Sequence, residues 1–240
     1  MQLFQQFIKK VTFALIGRGA PVPEIALSRL QEYAQIKRLL DSLAINCVID
    51  AGANQGQTVQ LLRGLGYKGY IYSFEPQRRI YAGLEQRCQH DPKWQGFQVA
   101  LGQVATSRPL QVNAQANEMS SLLNFHRPPQ GITTETVPVI PLDAIFASLI
   151  EPIPAPRVFL KIDTEGYDLN VFRGAANAWP HIFALQAEVF VHPVYKEAPH
   201  YLAALSEYEQ AGFKLVNLAL VSRLESGDMM CLNALMKRAA

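Results

Sequence analysis

Polar residues that could do chemistry follow two short apolar runs of the sequence. The first run closes in VIDAGANQGQ, where Asp50 precedes Gly52 and Gly56, and the second closes in YSFEPQ at Glu75. Glycine lets the backbone turn tightly and approach a ligand closely. Glu75 follows Gly52 at close to the spacing of about 20 residues at which an acid binds the hydroxyls of a ribose. The pattern therefore indicates a ligand of adenosine type.

The glycine spacing and the charge of Asp50 discriminate between adenosine ligands. A dinucleotide fingerprint needs glycines spaced G-x-G-x-x-G, so that a pyrophosphate can rest on a helix N-terminus. Here the turn offers Gly52 and Gly56 at a different spacing, and the carboxylate of Asp50 would repel a pyrophosphate. The same carboxylate suits the amine and the sulfonium of S-adenosylmethionine. For the turn taken alone, a tight bend beside a solvated acid is the simpler alternative.

The elements that must position these residues alternate along the chain. Apolar runs that predict strands lie at residues 47–50, 70–75, 97–101, 158–163 and 183–190, and helical patterns lie at 58–65, 79–88, 167–176 and 199–211. Strands that alternate with helices predict a mainly parallel sheet with helices on both faces, which is an α/β fold. A short polar loop joins the last two runs, 213–220 and 229–235, and predicts an antiparallel pair.

We divide the chain into N-terminal helices over residues 1–44 and an α/β domain over residues 45–240, with an insertion at about 103–157. The insertion is too long for a plain connection, which favours a lid or a binding segment. Residues 1–16 have the apolar stripe of an amphipathic helix. Such a helix packs on the body or on a second copy in a homo-oligomer, or it contacts a membrane surface peripherally, since its apolar run is too short to span a bilayer.

Composition limits the partners and the compartment. Lys and Arg number 22 against 20 Asp and Glu, so the net charge of +2 argues against a nucleic-acid partner. The 3 cysteines are odd in number and lie far apart, which fits neither a disulfide framework nor a zinc ribbon. We therefore expect a protein of the reducing cytoplasm.

Six motifs resemble those of the FkbM family of S-adenosylmethionine-dependent methyltransferases. They are VIDAGANQGQ, YSFEP, ALG at 100–102, SSL at 120–122, PLDAI at 141–145 and, above all, LKIDTEGYDLNVFRGA at 160–175. The resemblance covers about residues 47–188. It implies a class I methyltransferase (Rossmann-like) fold, with a seven-stranded sheet whose last strand is antiparallel, and methyl transfer to a hydroxyl oxygen.

The resemblance also assigns roles to residues along the sheet edge. It places a first group around the methionine part of the cofactor, namely Asp50, Gly52, Asn54 and Gly56. It places Glu75 on the ribose and Ala100 and Leu101 beside the adenine. Lys161, Asp163 and Glu165 face the site from the end of the fourth strand, and Asp163 borders the cofactor as well.

An alcohol is a poor nucleophile while protonated, so methyl transfer to it favours a positioned base. Asp163 is our first choice, because it closes a strand on the face opposite Ile162. Glu165, Glu188 and His192 are further candidates for the base. Two of them have plainer alternatives: Glu165 can be an acid that interacts favourably with a helix dipole, and His192 can be an ordinary loop residue. Lys161 either contacts the acceptor or pairs with a neighbouring acid.

Asp163 and Glu188, at the ends of neighbouring strands, could also hold a magnesium-type cation through oxygen ligands. We expect the acceptor to be a small molecule or a glycan, and a sugar is favoured because Asn117, Asn124 and His126 in the insertion offer hydrogen bonds to a polyol. The competing hypothesis is a methyltransferase-like interaction protein without turnover, which docks on a membrane or on a partner protein.

Overall fold

The computed structural model describes residues 23–113, 115 and 119–239. Its helices are α1 (Glu24–Ser42), α2 (Gln57–Gly64), α3 (Arg78–Cys88), α4 (Phe146–Ile150), α5 (Asp168–Arg173) and α6 (Tyr201–Gln210). Its strands are β1 (Cys47–Ala51), β2 (Tyr70–Phe74), β3 (Trp94–Phe97), β4 (Ala100–Leu101), β5 (Thr106–Asn113), β6 (Ile132–Ile140), β7 (Val158–Ile162), β8 (Ile182–Phe190), β9 (Phe213–Arg223) and β10 (Met229–Arg238). Short 3-10 turns cover Leu142–Ala144 and Ala176–His181.

Seven strands form the main sheet, in the order β3-β2-β1-β7-β8-β10-β9. The pairs from β3 to β8 are parallel, whereas β10 runs antiparallel to both β8 and β9. The short loop between β9 and β10 leaves no room for a crossover, so these two strands form a hairpin. The predicted α/β class, with a mainly parallel sheet and an antiparallel last strand, is confirmed.

Apolar side chains cover both faces of this sheet because the central strands are buried on both sides. On one face, Ile36 and Leu40 of α1 belong to the same apolar cluster as Val48 and Phe159 of the sheet. The opposite face packs against α5 and α6 through a larger cluster that includes Phe172 and Tyr208. Helix α1 is therefore packed directly on the α/β domain.

The insertion contains more regular structure than its composition indicates. Strands β4, β6 and β5 form a second, three-stranded sheet, in which β5 and β6 are antiparallel. The apolar run at 97–101 was predicted as one strand, but the chain leaves the main sheet after Phe97 and enters the small sheet at Ala100. Buried side chains of the insertion, such as Val137 and Leu142, join the larger core cluster.

The predicted amphipathic helix at residues 1–16 lies outside the described residues, and its proposed contact with a membrane or a second copy stays a prediction. Among the described helices, none is both long enough and apolar enough to cross a bilayer. The thiols of Cys47, Cys88 and Cys231 are free and buried.

Candidate functional site

A cavity of about 610 Å³ opens at the carboxyl ends of β1, β2, β7 and β8. Nine residues that the sequence had singled out line it: Gly52, Asn54, Glu75, Ala100, Leu101, Lys161, Asp163, Glu165 and Glu188. Parallel strands end at the same edge of a sheet, which is where open α/β folds bind ligands. The strand order therefore explains why residues so far apart in the chain meet here.

Gly52 brings the end of β1 against the end of β7. It has a positive φ of 80°, and a Cβ at this position would lie 1.9 Å from the backbone oxygen of Asp163. The N–H of Asp163 donates to the carbonyl of Ala51 at 2.9 Å, which fixes the Asp163 backbone at this point. A side chain at position 52 would push the two strand ends apart, so glycine is required here.

Glu75 is held in place by two backbone donors. Its Oε2 accepts the N–H of Asn54 at 3.0 Å, and its Oε1 accepts the N–H of Gln77 at 2.9 Å. Burial raises the pKa of the Glu75 carboxyl to about 7, although these two hydrogen bonds lower it. The carboxylate is therefore pre-positioned at the cavity wall, with lone pairs left for hydroxyl donors.

Lys161 lies between two carboxylates. Its Nζ is 3.3 Å from Oδ1 of Asp50 and 3.1 Å from Oδ2 of Asp163. Burial opposes a charge on this amine, but the carboxylates of Asp163 and Asp50 together raise the pKa of Lys161. Burial also raises the pKa of Asp50, and the charge of Lys161 lowers it in part. Of the two roles considered for Lys161, pairing with a neighbouring acid is confirmed.

Asp163 also belongs to a cluster of three carboxylates. One oxygen from each of Asp163, Glu165 and Glu188 lies within 4.8 Å of the others. Burial, followed by the charges of Glu165, Asp163 and Asp168, raises the pKa of Glu188 well above its ordinary value. Oε2 of Glu188 is buried and makes no hydrogen bond in the described part of the chain. The cluster thus brings three carboxyl groups together at the cavity wall.

Two residues that position this cluster were missed by the sequence analysis. Asp168 is buried at the start of α5, where its carboxylate accepts from the Thr164 hydroxyl at 3.1 Å and from the Glu188 N–H at 3.2 Å. The hydroxyl of Tyr195 lies 2.7 Å from Oε2 of Glu165. Asp168 is the last residue of the motif LKIDTEGYD, so the motif could have indicated it as a site residue. Tyr195 lies in a distant loop, and no local pattern indicated its contact with Glu165.

Three predicted site residues do not line the cavity. Asp50 is fully buried beneath Lys161, so its carboxylate acts on the site through that amine. Gly56 has a φ of 89° at the start of α2 and faces Leu84, which gives it a structural role. The side chain of His192 is exposed and does not border the cavity.

Of the three residues expected to bind a polyol from the insertion, the two that the structure describes do not line the cavity. Asn124 and His126 are exposed at the surface, and Asn117 lies outside the described residues.

Glu165 precedes α5 with a φ of 53°, and the acid in the first turn of that helix is Asp168. The helix-dipole alternative thus applies to Asp168, while Glu165 faces the cavity.

The family model for the methyltransferase FkbM domain matches residues 50–215, which is more than half of the chain. The chain belongs to this family. As an FkbM methyltransferase, it carries the motif LKIDTEGYD at the end of β7, where Lys161, Asp163 and Glu165 border the cavity. The match begins at the end of β1 and includes β2 but not α1. No curated protein matches the chain.

Solved structures give similarities of fold. The magnesium protoporphyrin IX methyltransferase of Synechocystis PCC 6803, solved with bound S-adenosylmethionine, is 10% identical, with a TM-score of 0.48, and the match covers 90% of this chain and 82% of that chain. An rRNA methylase from Streptococcus thermophilus is 11% identical, with a TM-score of 0.44, over 86% of this chain and 95% of that chain.

Proposed function

We propose that this FkbM methyltransferase binds S-adenosylmethionine in the half of the cavity formed by the ends of β1 and β2. The main support is Glu75, whose carboxylate is held at the cavity wall by the N–H groups of Asn54 and Gln77. Asn54 itself lines the cavity, and its Oδ1 is buried without a hydrogen-bond partner in the described residues. These residues fit a ribose and the polar end of the cofactor.

The charge of the lining supports a cationic cofactor. Five acids border the cavity, Glu32, Glu75, Asp163, Glu165 and Glu188, against the two cations Arg29 and Lys161. S-adenosylmethionine supplies a methyl group already activated by its sulfonium. The attraction between this sulfonium and the carboxylates of the cavity is stronger than it would be in water, because the cavity walls have a low dielectric constant.

We further propose that the acceptor is a hydroxyl group, and that the carboxylate of Asp163 takes its proton. The acceptor oxygen then gains the methyl group, and the neutral thioether of S-adenosylhomocysteine is left behind. Lys161 orients the Asp163 carboxylate through its 3.1 Å contact. A positioned base of this kind typically contributes about 10²–10⁴-fold to the rate. Glu165 is anchored by Tyr195 instead, which leaves Asp163, the more exposed of the two, as the first candidate.

The acceptor that fits this lining is a neutral small molecule or glycan, and we favour a sugar. The acids of the cavity would repel a phosphorylated compound or a nucleic acid. Three free, buried thiols support the cytoplasmic location that we propose.

The cofactor proposal is tested by isothermal titration of the purified protein with S-adenosylhomocysteine. We expect saturable binding to the wild type and a loss of at least about tenfold in affinity for Glu75→Ala, which removes a charged acceptor. Glu85→Ala in the exposed part of α3 is the matched control and should bind as the wild type does. Absence of binding to the wild type would refute the proposal.

The reaction is tested by an activity screen with methyl-labelled S-adenosylmethionine. The panels contain monosaccharides and their glycosides, hydroxylated natural products, and RNA. We expect label transfer to a hydroxylated small molecule, most strongly to a sugar. Transfer to RNA alone would overturn the acceptor class while leaving the methyltransferase activity intact.

We also propose that Asp163, Glu165 and Glu188 can hold one divalent cation. Besides the clustering of the three carboxylates, Oε2 of Glu188 supports this, because it is buried and has no hydrogen-bond partner among the described residues. Carboxylate oxygens are the ligands that magnesium and manganese prefer. Titration of the S-adenosylhomocysteine-loaded protein with Mn²⁺ should show one site that Glu188→Gln removes and Glu85→Gln retains. Equal Mn²⁺ binding by the wild type and Glu188→Gln would remove the metal from the proposal.

A further inference from the structure

Helix α1 lies outside the segment that matches the family, yet it forms one wall of the cavity. Arg29, Glu32, Tyr33 and Ile36 of this helix line the cavity together with residues of the sheet. Their spacing of three or four residues places them on one face of the helix. Ile36 belongs to the apolar cluster beneath, so the helix is fixed on the sheet while its polar side chains reach the site.

Glu32 is the most unusual residue of this wall. It is only 3% exposed, and Nε2 of Gln186 donates to its Oε1 at 2.6 Å. The side chain of Asn233 is a second hydrogen-bond partner. None of the ion pairs in the described residues involves Glu32. A buried carboxylate without a paired cation is costly, and a role in packing α1 would be served better by an apolar residue.

The strand order separates this group from the proposed cofactor half. Glu75 follows β2, whereas Gln186 lies on β8, three strands away in the sheet. Neighbouring strands are about 4.8 Å apart, so the two ends of the cavity are separated by roughly 14 Å. Asp163 follows β7, which lies between them. The cavity therefore has the proposed cofactor side, a central carboxylate and a further polar end that the cofactor residues do not explain.

We propose that Glu32, held by Gln186 and Asn233, forms the acceptor-binding subsite and recognises a neutral, polyhydroxylated compound. The inference rests on the proposed function and adds the residues that select the acceptor. A carboxylate accepts hydrogen bonds only, whereas the two amides both donate and accept. This mixture matches vicinal hydroxyl groups, each of which donates one hydrogen bond and accepts others. The negative charge of Glu32 excludes anionic acceptors from the same end.

The test uses saturation-transfer NMR on the full-length protein loaded with S-adenosylhomocysteine. The probes are methyl α-D-glucopyranoside, methyl α-D-mannopyranoside and methyl α-L-rhamnopyranoside. We expect at least one glycoside to bind the wild type, and its dissociation constant to rise about tenfold in Glu32→Gln, since one charged hydrogen bond is lost. The affinity for S-adenosylhomocysteine should stay within about threefold in the same variant, because Glu32 lies at the opposite end of the cavity.

Glu32→Gln keeps the size of the side chain and a carbonyl oxygen for Gln186, so it is preferred to Glu32→Ala. Asp41→Asn, at an exposed position of the same helix, is the matched control and should bind the probe as the wild type does. Equal glycoside affinity in the wild type and Glu32→Gln overturns the inference, as does a lowered melting temperature with unchanged affinity, which would indicate a purely structural role. Failure of the wild type to bind any of the three glycosides also overturns it. Failure to bind S-adenosylhomocysteine refutes the proposed function itself.

Discussion

The ammonium group of Lys161 lies 3.3 Å from the fully buried carboxylate of Asp50. This pair connects the end of β1 with β7, because Asp50 and Lys161 are register partners in the sheet. The same ammonium group contacts Asp163 at the cavity wall. Asp50 thus balances the charge of a lysine that orients the proposed base.

Removing Lys161 should destabilise the protein. Lys161→Met leaves Asp50 buried without a cation, and the loss of one partner of a buried pair typically costs about 3–5 kcal/mol. The double variant Asp50→Asn/Lys161→Met removes both charges and should recover at least half of that loss. Urea denaturation measures the stability of the single and the double variant. Lys37→Met, in the exposed Lys37–Asp41 pair, is the control. A double variant no more stable than the single variant would contradict this account.

The cost of Lys161→Met should grow with pH. Burial already raises the pKa of Asp50, and loss of the lysine raises it further. Between the ordinary pKa of an aspartate and this raised value, the folded protein binds more protons than the unfolded chain, so its stability falls as the pH rises. Urea midpoints at pH 5 and pH 8 should therefore differ more for the variant than for the wild type.

Asp163→Asn should separate binding from turnover. We expect at least about a tenfold loss of turnover, because the proposed proton acceptor is gone, with an affinity for S-adenosylhomocysteine close to that of the wild type. The rate is measured with the acceptor that the screen identifies, and the affinity by calorimetry. Asp228→Asn, in the exposed β9–β10 loop, is the control. Unchanged turnover in Asp163→Asn would remove Asp163 from the role of base.

The affinity for the cofactor should rise with pH through about neutrality. Burial raises the pKa of Glu75 to about 7, and the ionised form is the better acceptor for ribose hydroxyls. The bound state then holds fewer protons than the free protein, so affinity increases as the pH rises toward 7 and levels off above it. Calorimetry with S-adenosylhomocysteine at pH 6, 7 and 8 measures this trend.

Glu75→Gln should lose most of this pH dependence. Asp168 also has a pKa raised to about 7 by burial, but it does not line the cavity, so it should not replace Glu75 as the source of the trend. If the affinity of the variant depends on pH as steeply as that of the wild type, a group other than Glu75 causes the pH dependence.

Substitution of Gly52 should be severe. In Gly52→Ala the new Cβ would meet the Asp163 backbone oxygen at 1.9 Å, in addition to the strain of a positive φ. We expect a loss of at least about 2 kcal/mol of stability together with loss of cofactor binding. Gly66→Ala has a positive φ but open space around its Cβ, and should lose only about 1 kcal/mol. Comparable urea midpoints for the two variants would show that the contact with Asp163 is unimportant.

Several features of the site follow from local sequence patterns. Alternating strands and helices predicted the parallel sheet, and the short polar link before Met229 predicted its antiparallel end. Because parallel strands end at one edge, this also predicted that Gly52, Glu75 and Asp163 would meet. The order of the strands is what converts distant motifs into one cavity.

Other features depend on which side chains meet across the core. The sequence placed Asp50 at the cofactor, but its side chain points into the sheet packing beneath Lys161. It gave no sign that Tyr195 would hold Glu165, since the two residues belong to separate loops. Such contacts are decided by side-chain direction and packing, which periodicity does not specify.

By itself, therefore, the sequence determined the α/β class, the family and the edge of the sheet at which the candidate site lies. The tertiary structure decided the function of each polar group at that edge: Asp50 as the counterion of Lys161, Glu165 as the partner of Tyr195, and Glu32 as a residue of the cavity wall. Local periodicity is set by neighbours in the chain, whereas burial and charge pairing are set by contacts between distant segments, which form only in the folded protein.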